Sequence, residues 1–237
     1  MTDVGETVEF AGNGAPRSSD GRVSGNLAPA DGGAGLGILV VHEWWGVVPH
    51  IVDVCDRFAA EGFTALAPDL YHGRTVPNRE PDEARQAAGN LDSEQAARDM
   101  AGAVDYLSGH PAVRGDGLGV VGFWMGGSLA LWLATMRPDA IRAVVPFYGT
   151  RSDNQPDWSR LTAAVEGHYA EDDDMAGFDV ARQLEATLTD LDKELRMFLY
   201  PNTRHAFFND TRPEVHDPEA ARQAWVRTLE FLRAKLG

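Results

Sequence analysis

Residues 118–130 read L-G-V-V-G-F-W-M-G-G-S-L-A. The apolar run that closes on Gly122 reads as a buried strand, Gly117–Val121. The two glycines Gly126 and Gly127, with the Ala/Leu-rich stretch behind them, read as the start of a helix, Gly127–Met136. Strand, sharp turn and helix in this order form the frame of G-x-S-x-G, in which a Ser or Cys stands exposed on a strained turn. The central residue here is Trp124. An indole offers one N–H donor and no lone pair able to attack a carbonyl. The frame of a covalent catalyst is present, and its nucleophile is not.

Working outward from this turn, strands alternate with helices along nearly the whole chain. Upstream, Ile38–Val41 and Phe63–Leu66 are short apolar runs of the kind buried in a parallel sheet. Between them His50–Ala60 places Ile51, Val54, Cys55 and Phe58 on one helical face, with Gly62 as a stop. A long polar connection follows, residues 69–92, with a short helix near Glu83–Ala88. Ser93 is the expected N-cap of a helix to Leu107. Downstream, strands are expected at Ile141–Val145, Leu161–His168 and Leu195–Tyr200. Helices are expected at Phe178–Leu191 and, capped by Asp217 with Pro218 in its first turn, at Pro218–Lys235. Residues 1–35 hold two weak strands, Val8–Phe10 and Val23–Leu27, flanking a G-N-G-A-P turn. They read as an edge hairpin and not a separate domain. The expectation is one α/β domain over residues 1–237 with a doubly wound, mostly parallel sheet. Sites in such sheets lie at the carboxyl ends of strands. Glu43, Trp124, Asp173 and His205 all follow expected strand ends.

The 237 residues are 43% hydrophobic, enough for a substantial core, and carry a formal charge of −15. Such an acidic chain argues against nucleic acid or an anionic membrane as partner. No apolar stretch approaches the roughly 20 residues of a membrane span. The first ten residues lack the basic and apolar regions of a signal peptide. Cys55 is the single cysteine, so no internal disulfide exists and a reducing cytoplasm fits. The partner expected is a small-molecule substrate, and the assembly a monomer or small homo-oligomer.

Five segments carry a resemblance. They are V-V-H-E-W-W-G-V (40–47), A-L-A-P-D-L-Y-H-G (65–73), G-V-V-G-F-W-M-G-G (119–127), H-Y-A-E-D-D-D (168–174) and H-A-F-F-N-D-T-R-P (205–213). In order and spacing the chain resembles the dienelactone hydrolase family of α/β-hydrolases. That family hydrolyses enol lactones and small esters with a Cys-His-Asp triad and no metal or organic cofactor. The resemblance implies His205 as general base and Asp173 as the acid that holds its tautomer, with Asp172 and Asp174 as alternatives. It implies Glu43 as an extra acid beside the nucleophile, and an oxyanion hole made by the backbone N–H groups of Trp44 and Met125. Trp124 stands where the family has its nucleophile.

Two departures shape the functional expectation. A Trp at the elbow brings about 200 Å² of side-chain surface that must go somewhere, and the expected place is the substrate cavity. The family's substrate-carboxylate arginine, four residues after the triad His, is here Asn209. Trp45, Tyr71, Phe123, Tyr148, Phe207 and Asn209 are expected to line an apolar pocket. The first reading is a dienelactone hydrolase-like protein acting on a small apolar lactone, ester or related carbonyl compound without the covalent cysteine route. The alternatives are a lyase, isomerase or cyclase working through Glu43 and His205, and a ligand-binding pseudoenzyme. Cys55 reads as a buried small hydrophobe and Ser128 as a helix-start serine.

Overall fold

A computed structural model describes residues 5–12, 22–149 and 156–237. Beyond Gly12, the expected G-N-G-A-P turn lies outside the described residues. The chain forms two compact units, Met1–Leu118 and Gly119–Gly237.

The first unit holds β1 (Glu6–Ala11), β2 (Arg22–Ala28), β3 (Gly35–Val41) and β4 (Phe63–Pro68), hydrogen-bonded in the order β1-β2-β4-β3. β1 and β2 are the antiparallel edge pair expected of the N-terminal segment, and β3 and β4 run parallel. All seven residues of β3, G-L-G-I-L-V-V, are buried. A run without polar alternation is what a parallel strand covered on both faces requires. Helix α1 (Pro49–Ala60) buries Ile51, Val54, Cys55 and Phe58 and packs on β4. It ends where Gly62 takes φ +85°, a backbone state that costs glycine little. Two further helices are α2 (Pro81–Gly89) and α3 (Ser93–Ser108). The cap of α3 is Asp92 and not Ser93: the Asp92 carboxylate accepts from the Gln95 N–H at 3.0 Å. Both types cap well, and the carboxylate adds a charge favoured by the helix dipole.

β5 (Val113–Phe123) begins in the first unit and ends in the second. It starts earlier than expected because Arg114–Asp116 are exposed and leave no hydrophobic signal. The second unit continues with α4 (Met125–Met136), β6 (Ile141–Phe147), β7 (Ala164–Asp172), α5 (Phe178–Asp190), β8 (Leu195–Arg204) and α6 (Pro218–Leu236). Its strands are ordered β5-β6-β7-β8, with β6, β7 and β8 mutually parallel. α4 is buried almost all round and packs on β6; α6 starts at Asp217, whose side chain accepts from the N–H groups of Glu219 and Ala220.

One irregularity sets the position of the site. β7 and β8 pair Ala170 with Tyr200, then Asp172 with Arg204. β8 thus carries two extra residues, among them Asn202 at φ 57°, whose N–H donates to the Glu171 carboxylate at 2.8 Å. A bulge of this kind re-aims the side chains that follow it. The next residue on each strand is Asp173 and His205. Among the described residues no helix is long and apolar enough to cross a membrane.

Candidate active site

The elbow is built in full. Trp124 sits at φ 47°, ψ −108°, a strained backbone state for a residue with a side chain. Its N–H donates to the Phe147 carbonyl at 2.9 Å, and its carbonyl accepts from the Ser128 N–H at 3.1 Å. Glycines allow the close crossing. A Cβ on Gly122 would run into the Gly126 carbonyl, and one on Gly149 into the Trp124 carbonyl. The tight turn therefore depends on Gly122 and Gly149, while Trp124 occupies its tip.

His205 and Asp173 meet beside it. Nδ1 of His205 lies 2.7 Å from Oδ2 of Asp173. The other oxygen, Oδ1, accepts from the N–H groups of Met175 and Ala176 at 2.9 and 2.8 Å. Burial works against a charged Asp173, but the His205 contact and these two N–H groups prevail and hold its carboxyl below the usual carboxylate range. A carboxylate only accepts, so Nδ1 carries the proton and the lone pair of His205 is on Nε2. Of the four consecutive acids, Asp173 makes this contact; Glu171, Asp172 and Asp174 are exposed. The imidazole lies between two aromatic rings. The Trp124 centroid is 5.9 Å away with the ring planes at 89°, and the Tyr148 centroid is 5.0 Å away at 59°.

The residues expected to line the pocket are nearly all buried. Trp45, Phe123, Tyr148, Phe207 and Asn209 are each at most 1% exposed. Phe123, Phe147, Tyr148, Phe207 and Phe208 stack on one another as core. Trp45 packs with Val76, Ala84 and Ala87. Of these rings, Tyr148 also lies against the His205 imidazole. Asn209 turns inward: its Oδ1 accepts from the N–H and hydroxyl of Thr211, so it holds a turn where the family pattern has an arginine. Tyr71 is half-buried.

In the first unit, Glu43 follows β3 and is buried; Trp44 stacks edge-on to Trp45, centroids 5.2 Å apart. His42, not expected to matter, is fully buried next to Glu43. Its Nε2 accepts from the Leu70 N–H at 3.2 Å, so its Nδ1–H donates to the Glu43 carbonyl at 2.6 Å. It ties the end of β3 to the loop after β4. The signal was available: a polar residue within the apolar run V-V-H. Cys55 is buried as expected, and burial pushes its thiol well up from the ordinary range. Met125 opens α4, so its peptide N–H is in the first turn of that helix.

A strand, a strained elbow, a buried helix and a His-Asp pair on the following strand ends define a protein of the α/β-hydrolase fold. The model of the "Dienelactone hydrolase family" matches residues 24–236. The chain belongs to the dienelactone hydrolase family. It is 33% identical to "Protein usf" of Aquifex pyrophilus, over 98% of this chain and 100% of that one. It is 32% identical to a Bradyrhizobium protein named "Probable 2-oxo-3-(5-oxofuran-2-ylidene)propanoate lactonase", covering 83% and 82% of the two chains. The crystal structure of a dienelactone hydrolase-like promiscuous phosphotriesterase from metagenomic libraries superposes with a TM-score of 0.83 at 21% identity, covering 99% and 100%. That likeness concerns the fold.

Proposed function

We propose that this protein hydrolyses small apolar enol lactones and related activated esters by general-base catalysis, with no acyl-enzyme. One observation carries the proposal: the His205-Asp173 pair is intact, with its basic Nε2 available, at an elbow whose tip cannot form an ester. A protein that only bound ligands would have no use for an imidazole held in one tautomer by a buried carboxylate.

His205 Nε2 takes a proton from water as the water oxygen bonds to the lactone carbonyl carbon. The ring C–O bond then breaks, and the departing oxygen receives the proton from the imidazolium. Lactone plus water gives a carboxylic acid and an enol, which becomes its keto form. An enolate is a far better leaving group than an alkoxide, so this substrate class can dispense with a covalent intermediate. Asp173 stabilises the imidazolium while it exists. The resemblance assigns oxyanion stabilisation to the peptide N–H groups of Trp44 and Met125, and an acid role to Glu43. The lactonase name of the Bradyrhizobium relative supports a lactone as the reacting group, and the substrate in that name carries a carboxylate besides. The absence of an arginine at Asn209, where the family pattern holds a substrate carboxylate, supports an apolar substrate.

The test is steady-state hydrolysis of a five-membered enol lactone and of p-nitrophenyl acetate, with mass spectrometry of the protein under turnover. The expected result is lactone hydrolysis abolished by His205→Gln, no burst of product and no mass adduct. An acyl adduct, or activity indifferent to His205→Gln, overturns the mechanism. No hydrolysis of any lactone or ester overturns the function.

A further inference from the structure

Between the pairs Ala170–Tyr200 and Asp172–Arg204, β8 carries three residues, Pro201, Asn202 and Thr203, where β7 carries one, Glu171. In an unbroken ladder Asp172 would face Asn202 instead of Arg204, and His205 would lie two residues further along the sheet. A strand advances about 3.3 Å per residue, so that slip is about 6–7 Å. The Nδ1 to Oδ2 contact of His205 with Asp173 is 2.7 Å long and could not span it. The His-Asp pair therefore exists only while the bulge does.

The bulge works against local preference. It takes backbone groups out of the ladder, and an N–H left without an acceptor favours a return to regular pairing. Asn202 is at φ 57°, and Ala206, fully buried just past the base, is at φ 64°. Both lie in the left-handed region that residues with a side chain disfavour. Two hydrogen bonds hold this backbone. The buried Thr203 hydroxyl donates to the Tyr200 carbonyl at 2.8 Å and closes the base of the bulge. The Asn202 N–H donates to Oε2 of Glu171 at 2.8 Å. Glu171 is the one β7 residue facing the three, and its side chain supplies an acceptor where the ladder is interrupted. A carboxylate makes a stronger bond to an N–H than a carbonyl does.

We propose that Glu171 is a positioning residue for the general base: by accepting from the Asn202 N–H it keeps the offset of β8, and so holds His205 against Asp173. It acts through the backbone of β8 and not on the substrate. The kinetic consequence rests on the hydrolytic reading; the geometric one does not.

The test follows the ring proton that His205 shares with Asp173. Protein labelled with ¹⁵N-histidine is observed by NMR, and the Nδ1–H resonance is assigned by its loss in His205→Gln. In Glu171→Ala the resonance is expected to disappear through exchange with water. It should persist in Glu171→Gln, whose amide oxygen still accepts, and in Asp174→Asn, which changes an exposed acid outside the bulge. On a five-membered enol lactone, Glu171→Ala should lose about tenfold or more in kcat with KM within about twofold. Glu171→Gln should return kcat to within about threefold of the wild type. In the wild type the Asn202 amide should exchange at least about tenfold more slowly than an unstructured amide, a measurement that needs no variant to fold. A Glu171→Ala protein that keeps the resonance overturns the proposal, whatever its Tm or rate. So does a Glu171→Gln or Asp174→Asn protein that loses the resonance, or an unprotected Asn202 amide. If the wild type hydrolyses no lactone, the proposed function falls, and the ring resonance and amide exchange still decide the role of Glu171.

Discussion

The indole of Trp124 stands perpendicular to the imidazole of His205, ring planes at 89° and centroids 5.9 Å apart. At this point in a Cys- or Ser-based hydrolase the base would take a proton from the nucleophile. Here the neighbour is an aromatic ring with no proton that catalysis could use in that way. The contact sets an aromatic ring where the base would meet its usual partner, and in the proposed mechanism water is the proton donor.

Restoring a thiol at the elbow tests this directly. Trp124→Cys keeps the strained backbone, since that is set by Gly122 and Gly149 and by the Trp124 N–H bond to Phe147. Hydrolysis of p-nitrophenyl acetate is expected to rise by about 10²-fold or more, with an acetyl adduct on Cys at 124 seen by mass spectrometry. An unchanged rate with no adduct would mean that the frame no longer supports acyl transfer.

Asp173 and its neighbours separate by position. Asp173→Asn removes the acceptor that fixes the His205 tautomer, and a loss of about 10²–10⁴-fold in kcat is expected. Asp172→Asn and Asp174→Asn, exposed and outside that contact, should stay within about twofold. Lactone kinetics on the three variants decide it. A large loss at either neighbour would show the wrong acid has been assigned.

The elbow glycines carry stability as well as geometry. Gly122→Ala puts a methyl against the Gly126 backbone carbonyl, and backbone gives way less easily than a side chain. A cost of about 2–4 kcal/mol is expected, read as a lower urea midpoint at unchanged slope. Gly32→Ala, with nothing within 4 Å of the added carbon but φ +89°, should cost about 1 kcal/mol.

Acid sensitivity has a defined sign. Burial pushes the imidazoles of His42 and His168 below their ordinary range, overriding the nearby groups that would raise them. In the unfolded chain both titrate near 6.5. The unfolded state therefore binds protons first, and stability is complete above about pH 6.5 and declines as pH falls through it. Asp173, held below the carboxylate range, adds a loss only at about pH 4 and lower. His42→Gln can keep both bonds, accepting from Leu70 and donating to the Glu43 carbonyl. Its Tm should fall less than the wild type's between pH 7.5 and 5, by a few degrees. Parallel Tm curves for the two proteins would refute the account.

Much of the architecture could be read from local pattern. The unbroken apolar run of β3 and the amphipathic spacing of α1 carry their own period. Boundaries went astray where that period was silent. The exposed lead-in of β5 has no hydrophobic signal, and Asp92 and Ser93 are both good caps, so only the observed bond to Gln95 selects one. The expected pocket aromatics show what local pattern leaves open. Ring-rich strand ends look alike in sequence whether they face a ligand or one another, and Phe123, Tyr148 and Phe207 face one another.

The chain alone determines that an elbow exists and that its tip carries no nucleophile, because glycine spacing and residue identity are local properties. Which of the consecutive acids reaches His205 was decided only by folding. The β7–β8 register and its two extra residues bring Asp173 and His205 abreast, and that offset arises from pairing between segments some thirty positions apart. The same holds for His72 and Asp99: no spacing rule joins them, and only the packing of a strained loop on α3 brings a buried carboxylate to that imidazole.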